Sequence, residues 1–373
     1  MTTNHAQRIQ RLASNLSAHE LEAIVLLPGP NLRYFTGLSF HLMGRPTLTI
    51  LTVDQPPFLL VPELERSKAE GNTIGAKVAT YGEDIASRRA ALATAAATLD
   101  LARRRVGVEP LRMRWFEERL LEEAAPGIRL QSAEAVLEPI RVEKAPNEIA
   151  AIQHAVGVAQ TALEQALPSI RLGMTELELA SELTLQLLRA GSETELPFSP
   201  IVASGPNTAL PHAVPTARTL QAGDLLILDW GATVDGYISD LTRTFALDRL
   251  EAEWKRIHAI VVDANAAGRA AAGPGVACRT VDAAARSVIE AAGYGPAFLH
   301  RTGHGIGLEA HEAPYIRSDN AAVLQPGMTF TVEPGIYLAG RGGVRVEDNV
   351  VITAEGATTL STFPRPLQIL PGR

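Results

Sequence analysis

The chain has 373 residues, longer than one typical hydrophobic core organises and about right for two domains. It is 46% hydrophobic and 20% charged with a formal net charge of −7, which excludes the basic footprint of a nucleic-acid or anionic-membrane binder. Cys278 is the single cysteine, which excludes internal disulfides and thiolate metal clusters and points to a reducing cytoplasm.

No apolar run reaches the length of a membrane span, and the opening MTTNHAQRIQRLASNL is too polar for a signal-peptide core. Short β-rich runs at 23–27, 47–53, 58–61, 77–81 and 105–109 alternate with helical patterns at 85–102 and 112–124, predicting an α/β domain. Within it His41 and the loop NLRYFTG (31–37) stand out, and both read as structural or surface features. The charged, proline-containing LEPIRVEKAPNE (137–148) predicts a boundary near 140, dividing the chain into domains of 1–140 and 141–373.

Helices follow at about 147–167 and 175–190. TELE (175–178) is a capping box, with Thr175 capping and Glu178 reaching back, and Gly191 is placed to end that helix. β-Rich sequence then runs to about 247, helices to about 272 and 292, and β-rich sequence again to about 353. The order helix, helix, strands therefore occurs twice. LQAGDLLILDWG from Leu220 and LQPGMTFTVEPG from Leu324 match at Leu, Gln, two glycines and two acids, Asp229 and Glu333. The second domain is predicted to be two related halves facing each other.

Asp229 ends the apolar run LLILD, and a buried acid needs a partner or a metal. Asp235-Gly236 signals a two-residue hairpin, which sets 234 against 237 and 229 against 242. Asp229 and Asp240 then become diagonal neighbours on one face, roughly 7–8 Å apart at the backbone. Converging carboxylates repel unless a cation lies between them, and Arg243 falls on the opposite face by parity. In the second half Glu333 ends FTVE, and Glu347 follows a glycine-rich turn in GGVRVEDN. Pro334 leaves their register open, while the repeat predicts that they mirror Asp229 and Asp240.

RTGHGIGLEAHEAP (301–314) supplies His304 and His311 in a segment too glycine-rich for a helix and without the zinc-protease spacing. Its glycines predict close backbone approach. Four carboxylates balance two divalent cations and His304 completes one shell, with His311 near the ions but not on them. Oxygen-rich sites favour Mn2+, with Co2+, Zn2+ or Fe2+ as other occupants. Such a pair of ions suits metal-assisted hydrolysis.

The ordered set Asp229, Asp240, His304, Glu333 and Glu347 resembles the metal ligands of the M24 or pita-bread metallopeptidases, which include methionine aminopeptidase, aminopeptidase P and prolidase. The likeness runs from about 147 to 355, and NLRYFTGL (31–38) is similar to a phrase of the creatinase, prolidase and aminopeptidase P branch. It implies an α/β two-domain chain, an N-terminal creatinase-like α/β domain followed by a pseudo-twofold pita-bread α+β catalytic domain. It implies that Asp229 is a ligand, that Asp240 and Glu347 bridge the ions, that His304 binds one, and that Glu333 both ligates and accepts a proton from the attacking water. It further implies His212 in LPHA (210–213) at the substrate end and His311 in AHE (310–312) at the developing oxyanion. His300 and Arg345 match further active-site positions of the proline-specific members.

The implied reaction is hydrolysis of the bond before proline in small peptides, by a homodimer that binds neither nucleic acid nor membrane. An Xaa-Pro aminopeptidase, aminopeptidase P, is the first expectation, with an Xaa-Pro dipeptidase, prolidase, as the alternative. Hydrolysis of a non-peptide amide and a metal-free binding scaffold are the remaining readings. His5, His19, His154 and His258 read as helix or surface positions.

Overall fold

The computed structural model describes residues 3–372, so the outer ends of the expected domains, 1 and 373, lie outside the described residues. The chain divides into two compact units, Met1–Arg141 and Val142–Arg373.

The first unit is built on a six-stranded sheet of β1 (Ala23–Leu26), β2 (Leu48–Thr52), β3 (Phe58–Pro62), β4 (Lys77–Tyr81), β5 (Arg105–Val108) and β6 (Arg129–Ser132), in the order β4-β3-β2-β1-β5-β6. The neighbours among β1, β2 and β3 are antiparallel and the outer pairs parallel. β1, β2 and β3 are buried along their whole length, which is why they read as unbroken apolar runs. Its helices are α1 (Thr3–Ala18), α2 (Pro30–Thr36), α3 (Arg66–Glu70), α4 (Ile85–Thr98), α5 (Trp115–Ala124) and α6 (Glu134–Arg141). The expected loop NLRYFTG is thus a helix. Pro30 opens α2 where an N–H would have no partner, Gly37 closes it at φ 72°, and Leu32, Tyr34 and Phe35 are buried.

The second unit begins with α7 (Pro146–Ala166) and α8 (Glu176–Ala190). Strands β7 (Ile201–Ser204), β8 (Leu225–Trp230), β9 (Thr233–Val234), β10 (Tyr237–Ile238) and β11 (Leu241–Leu247) follow. Then come α9 (Ala252–Ala271) and α10 (Cys278–Ala291). The chain ends in β12 (Gly303–Gly305), β13 (Glu312–Ile316), β14 (Thr329–Val332), β15 (Gly335–Leu338), β16 (Gly342–Arg345), β17 (Asp348–Ile352), β18 (Ala357–Thr359) and β19 (Ile369–Leu370). The halves carry separate sheets, β19-β11-β8-β7 and β13-β12-β14-β17-β18. An isolated bridge, Thr242 to Glu347, joins them, with the Glu347 N–H donating to Thr242 O at 3.1 Å. The capping box forms as expected. The Thr175 N–H donates to Glu178 Oε2 at 2.7 Å, the Glu178 N–H donates to Thr175 Oγ1 at 3.2 Å, and Gly191 ends α8 at φ 108°.

Strand alternation sorts the side chains into two layers. Leu226, Leu228 and Trp230 of β8 pack with Ala155, Ala159 and Leu163 of α7, and the Trp230 indole donates to Ala159 O at 2.7 Å. Phe330 and Val332 of β14 pack with Cys278 and Val281 of α10. Each large apolar side chain buried in this way stabilises by about 1.5–3 kcal/mol, which offsets the cost of the acids that the same strands present on their other face. Among the described residues no helix is long and apolar enough to cross a membrane.

Candidate metal centre

The first-half hairpin has the expected register. Val234 faces Tyr237, Trp230 faces Leu241 and Asp229 faces Thr242, with Asp235 at φ 51° and Gly236 at φ 77° forming the turn. Asp240 lies one residue before Leu241, so it is diagonal to Asp229 on the same face. Arg243 points the other way, as parity required. It donates to Asp348 Oδ1 at 2.9 Å and to the Glu347 carbonyl on the far side of the sheet.

The second hairpin keeps one register straight through Pro334. Val332 faces Asp348, Gly335 faces Arg345, and between them the Val346 N–H reaches Pro334 O at 3.4 Å. Glu333 therefore lies directly across from Glu347. This corrects the expected mirror by one side-chain step. Asp229 and Glu333 are counterparts, but Glu347 takes the place of Thr242, and Arg345 takes the place of Asp240. The two sets interlock at the pseudo-axis. Thr242 Oγ1 donates to Glu347 Oε2 at 2.7 Å, Arg345 Nε donates to Thr242 Oγ1 at 3.1 Å, and Arg345 Nη2 donates to Asp229 Oδ2 at 2.5 Å.

His304 enters on β12, and its flanking glycines are explained by space. A Cβ on Gly303 would lie 1.8 Å from Thr331 O, and one on Gly305 would lie 2.1 Å from Ala313 O, both rigid backbone atoms. Gly305→Ala is accordingly expected to cost about 3 kcal/mol or more and to lower the melting temperature sharply. Gly157→Ala is its control, because Gly157 sits inside α7 with nothing within 4 Å of the new methyl. That control should add up to about 1 kcal/mol of stability and so raise the melting temperature. Equal thermal shifts in the two variants would remove the close-approach argument.

His304 Nδ1 lies 3.2 Å from Gly305 O, and a carbonyl can accept but not donate, so Nδ1 carries the proton. Nε2 is left with its lone pair, 3.2 Å from Glu333 Oε1 and 3.7 Å from Asp240 Oδ2. Donor atoms of Asp240, His304 and Glu347 lie within 4.8 Å of one another and form a buried group able to hold a metal. Among the described residues Asp229 Oδ1 and Glu347 Oε1 are buried without a hydrogen-bond partner, while the second oxygen of each is anchored by Arg345 or Thr242. One oxygen fixed and one bare is what a coordinating carboxylate requires. Burial, followed by mutual repulsion among the acids, holds Asp240 and Glu347 well above the usual carboxylate range. A divalent cation removes that repulsion, so the residues present fit a metal.

All nine residues singled out in the sequence line one cavity of about 500 Å3: Asp229, Asp240, His304, Glu333, Glu347, His212, His300, His311 and Arg345. The His311 ring meets His304 edge-on at 4.2 Å between centroids. Burial, His304 and Arg301 push its pKa down to about 4, so it is neutral at physiological pH. His300 Nδ1 donates to Arg301 O at 2.8 Å, so Nε2 accepts from Tyr337 Oη at 2.9 Å. Tyr337 Oη in turn accepts from Arg345 Nη1 at 2.8 Å, completing a chain from His300 to Asp229.

Two members of the site were not read from the sequence. Tyr337 shares strand parity with Glu333, and a Cβ on Gly335 or Gly343 would lie 2.6 or 2.7 Å from its side chain. That parity with two small neighbours was the available signal. Asn349 holds both polar atoms of the Asp240 backbone, accepting from its N–H at 3.2 Å and donating to its carbonyl. Nothing local marks Asn349, because its partner lies in the other half.

The sequence model of metallopeptidase family M24 matches residues 150–354, and that of the creatinase/prolidase N-terminal domain matches residues 8–142. The chain belongs to metallopeptidase family M24. It is 31% identical over 364 residues to an Xaa-Pro dipeptidase of Pyrococcus horikoshii, covering 97% of this chain and 98% of that protein. The crystal structure of a prolidase from Thermococcus sibiricus superposes with a TM-score of 0.93 at 30% identity, covering 99% of this chain and 100% of that one. The structure of an X-Pro aminopeptidase from Thermotoga maritima superposes at 0.85 with 29% identity, covering 97% and 99%. The fold is therefore the expected one, a creatinase-type N-terminal domain followed by a pita-bread catalytic domain.

Proposed function

We propose that this metallopeptidase is an Xaa-Pro dipeptidase, with residues up to about 140 as its N-terminal domain and the remainder as its catalytic domain. The supporting observation is the convergence of Asp229, Asp240, His304, Glu333 and Glu347 on one cavity, with two carboxylate oxygens left bare. The relatives favour the dipeptidase over the aminopeptidase P that the sequence put first. The full-length relative at 31% identity carries the dipeptidase name, and the prolidase likeness is closer than the aminopeptidase one.

The five side chains would hold two divalent ions, Mn2+ first because the donors are mostly oxygen. When bound, the ions supply the Lewis acidity that makes water nucleophilic near neutral pH and polarises the scissile carbonyl. Glu333 takes the proton of the attacking water and returns it to the proline nitrogen, which must gain one to leave. Neutral His311 donates a hydrogen bond to the developing oxyanion. His212, which lines the cavity, would contact the substrate there. Arg345 holds Asp229 in place and offsets part of the burial that raises its pKa, and His300 is aligned through Tyr337. A homodimer in a reducing cytoplasm, with Cys278 buried as a free thiol, completes the reading.

The test is hydrolysis of Ala-Pro beside Ala-Pro-Ala by Mn2+-loaded protein. Ala-Pro is expected to be cut and the tripeptide left intact. Cleavage of the tripeptide before proline returns the aminopeptidase. Failure to cut either, with ions bound, sinks the proline assignment.

A further inference from the structure

The cavity wall holds two arginines, and their circumstances differ. Arg345 is committed to Asp229, Thr242, Tyr337 and the Pro211 carbonyl. Arg301 makes no ion pair and donates no hydrogen bond from its guanidinium among the described residues. Its guanidinium lies over the Tyr315 ring, 4.8 Å from the centroid. The backbone beneath it is fixed. His300 Nδ1 donates to Arg301 O at 2.8 Å, and Arg286 Nη2 donates to His300 O at 2.9 Å. A cation is thus positioned at the cavity by its backbone and by one ring, with its five N–H donors paired to no acidic side chain among the described residues.

The rest of the wall shows what that cation can meet. The acids Asp229, Asp240, Glu333 and Glu347 gather at one place, where a free amine is favoured. Phe198, Ile201 and Pro211 are apolar. A carboxylate carried into such a cavity loses water and needs a partner of opposite charge. Guanidinium matches a carboxylate with two parallel hydrogen bonds.

We propose that Arg301 binds the α-carboxylate of the proline residue and thereby confines the site to Xaa-Pro dipeptides. This rests on the dipeptidase reading. A longer peptide presents a neutral amide at the same place and leaves the guanidinium unmatched.

The experiment compares Ala-Pro with Ala-prolinamide on the Mn2+-loaded wild type, Arg301→Gln and Arg301→Lys. The wild type should prefer the free carboxylate by about 10- to 100-fold in kcat/KM, the range of a hydrogen bond to a charged group. Arg301→Gln should lose that preference, chiefly through a higher KM for Ala-Pro, while keeping its Mn2+. Arg301→Lys should fall between, and it carries the test if the glutamine variant folds poorly. A wild type indifferent to the amide, or an Arg301→Gln that slows both substrates equally, overturns the assignment. Wild-type cleavage of Ala-Pro-Ala as fast as Ala-Pro overturns the dipeptidase reading itself. Strict dipeptide cleavage with the preference intact in Arg301→Gln overturns Arg301 alone.

Discussion

Asp240→Asn is expected to stabilise the metal-free protein while cutting kcat/KM by about 10^3- to 10^4-fold, the several kcal/mol that metal assistance supplies. Asp240 is 5% exposed, and burial, then Glu347 and Asp229, raise its pKa. A carboxyl held above its unfolded value favours the fold below that value and loses this contribution as pH rises through the folded one. The asparagine avoids that loss, so its advantage should be small in acid and grow toward neutral pH. An amide is also a poor ligand for a divalent cation, so the thermal shift on adding Mn2+ should vanish with the activity. Calorimetry of both proteins, with and without Mn2+, at acid and neutral pH reads all of this. A lower metal-free melting temperature in the variant, with the Mn2+ shift intact, would refute the account.

That result also bears on what the sequence could convey. The first-half register was legible because Asp235-Gly236 is a local turn code, and one fixed turn sets the parity of every residue behind it. The second register was not, because Pro334 interrupts strand pairing without shifting it, and only the tertiary ladder from Val332 to Arg345 reveals that. The mirror expectation then failed by two residues. Similar flanking phrases locate Asp229 and Glu333 on equivalent strands, but the residues facing them, Thr242 and Glu347, differ in kind. NLRYFTG looked like a loop because a two-turn helix is too short to show periodicity. His300 was found from motif and Tyr337 was missed, although both lie on the same hydrogen-bonded chain. Preference for a dipeptide depends on which side chains close one wall, and positions as distant as Phe198 and Arg301 meet there through the fold alone.

Glu333→Gln should lower kcat by about 10^2- to 10^4-fold, the range for loss of a general base, yet leave ions bound. Glu333 follows β14, where its N–H donates to Thr302 O at 2.7 Å and fixes its backbone. Burial raises its pKa, but in the metal-free site its neighbours His304, then His300 and Arg345, outweigh burial and bring it down to about 2. It is therefore ionised throughout the neutral range, able to take a proton but not to donate one first. Glutamine has nearly the same shape and keeps a carbonyl oxygen toward His304, but it cannot be protonated at neutral pH. The loss should fall on kcat with KM for Ala-Pro little changed, because a proton acceptor acts in the transition state and not in substrate binding. Metal analysis separates this from Asp240→Asn, which should lose both ions and activity. If Glu333→Gln sheds its ions to the same extent, Glu333 is a ligand alone, and the proton must pass through another group on the wall.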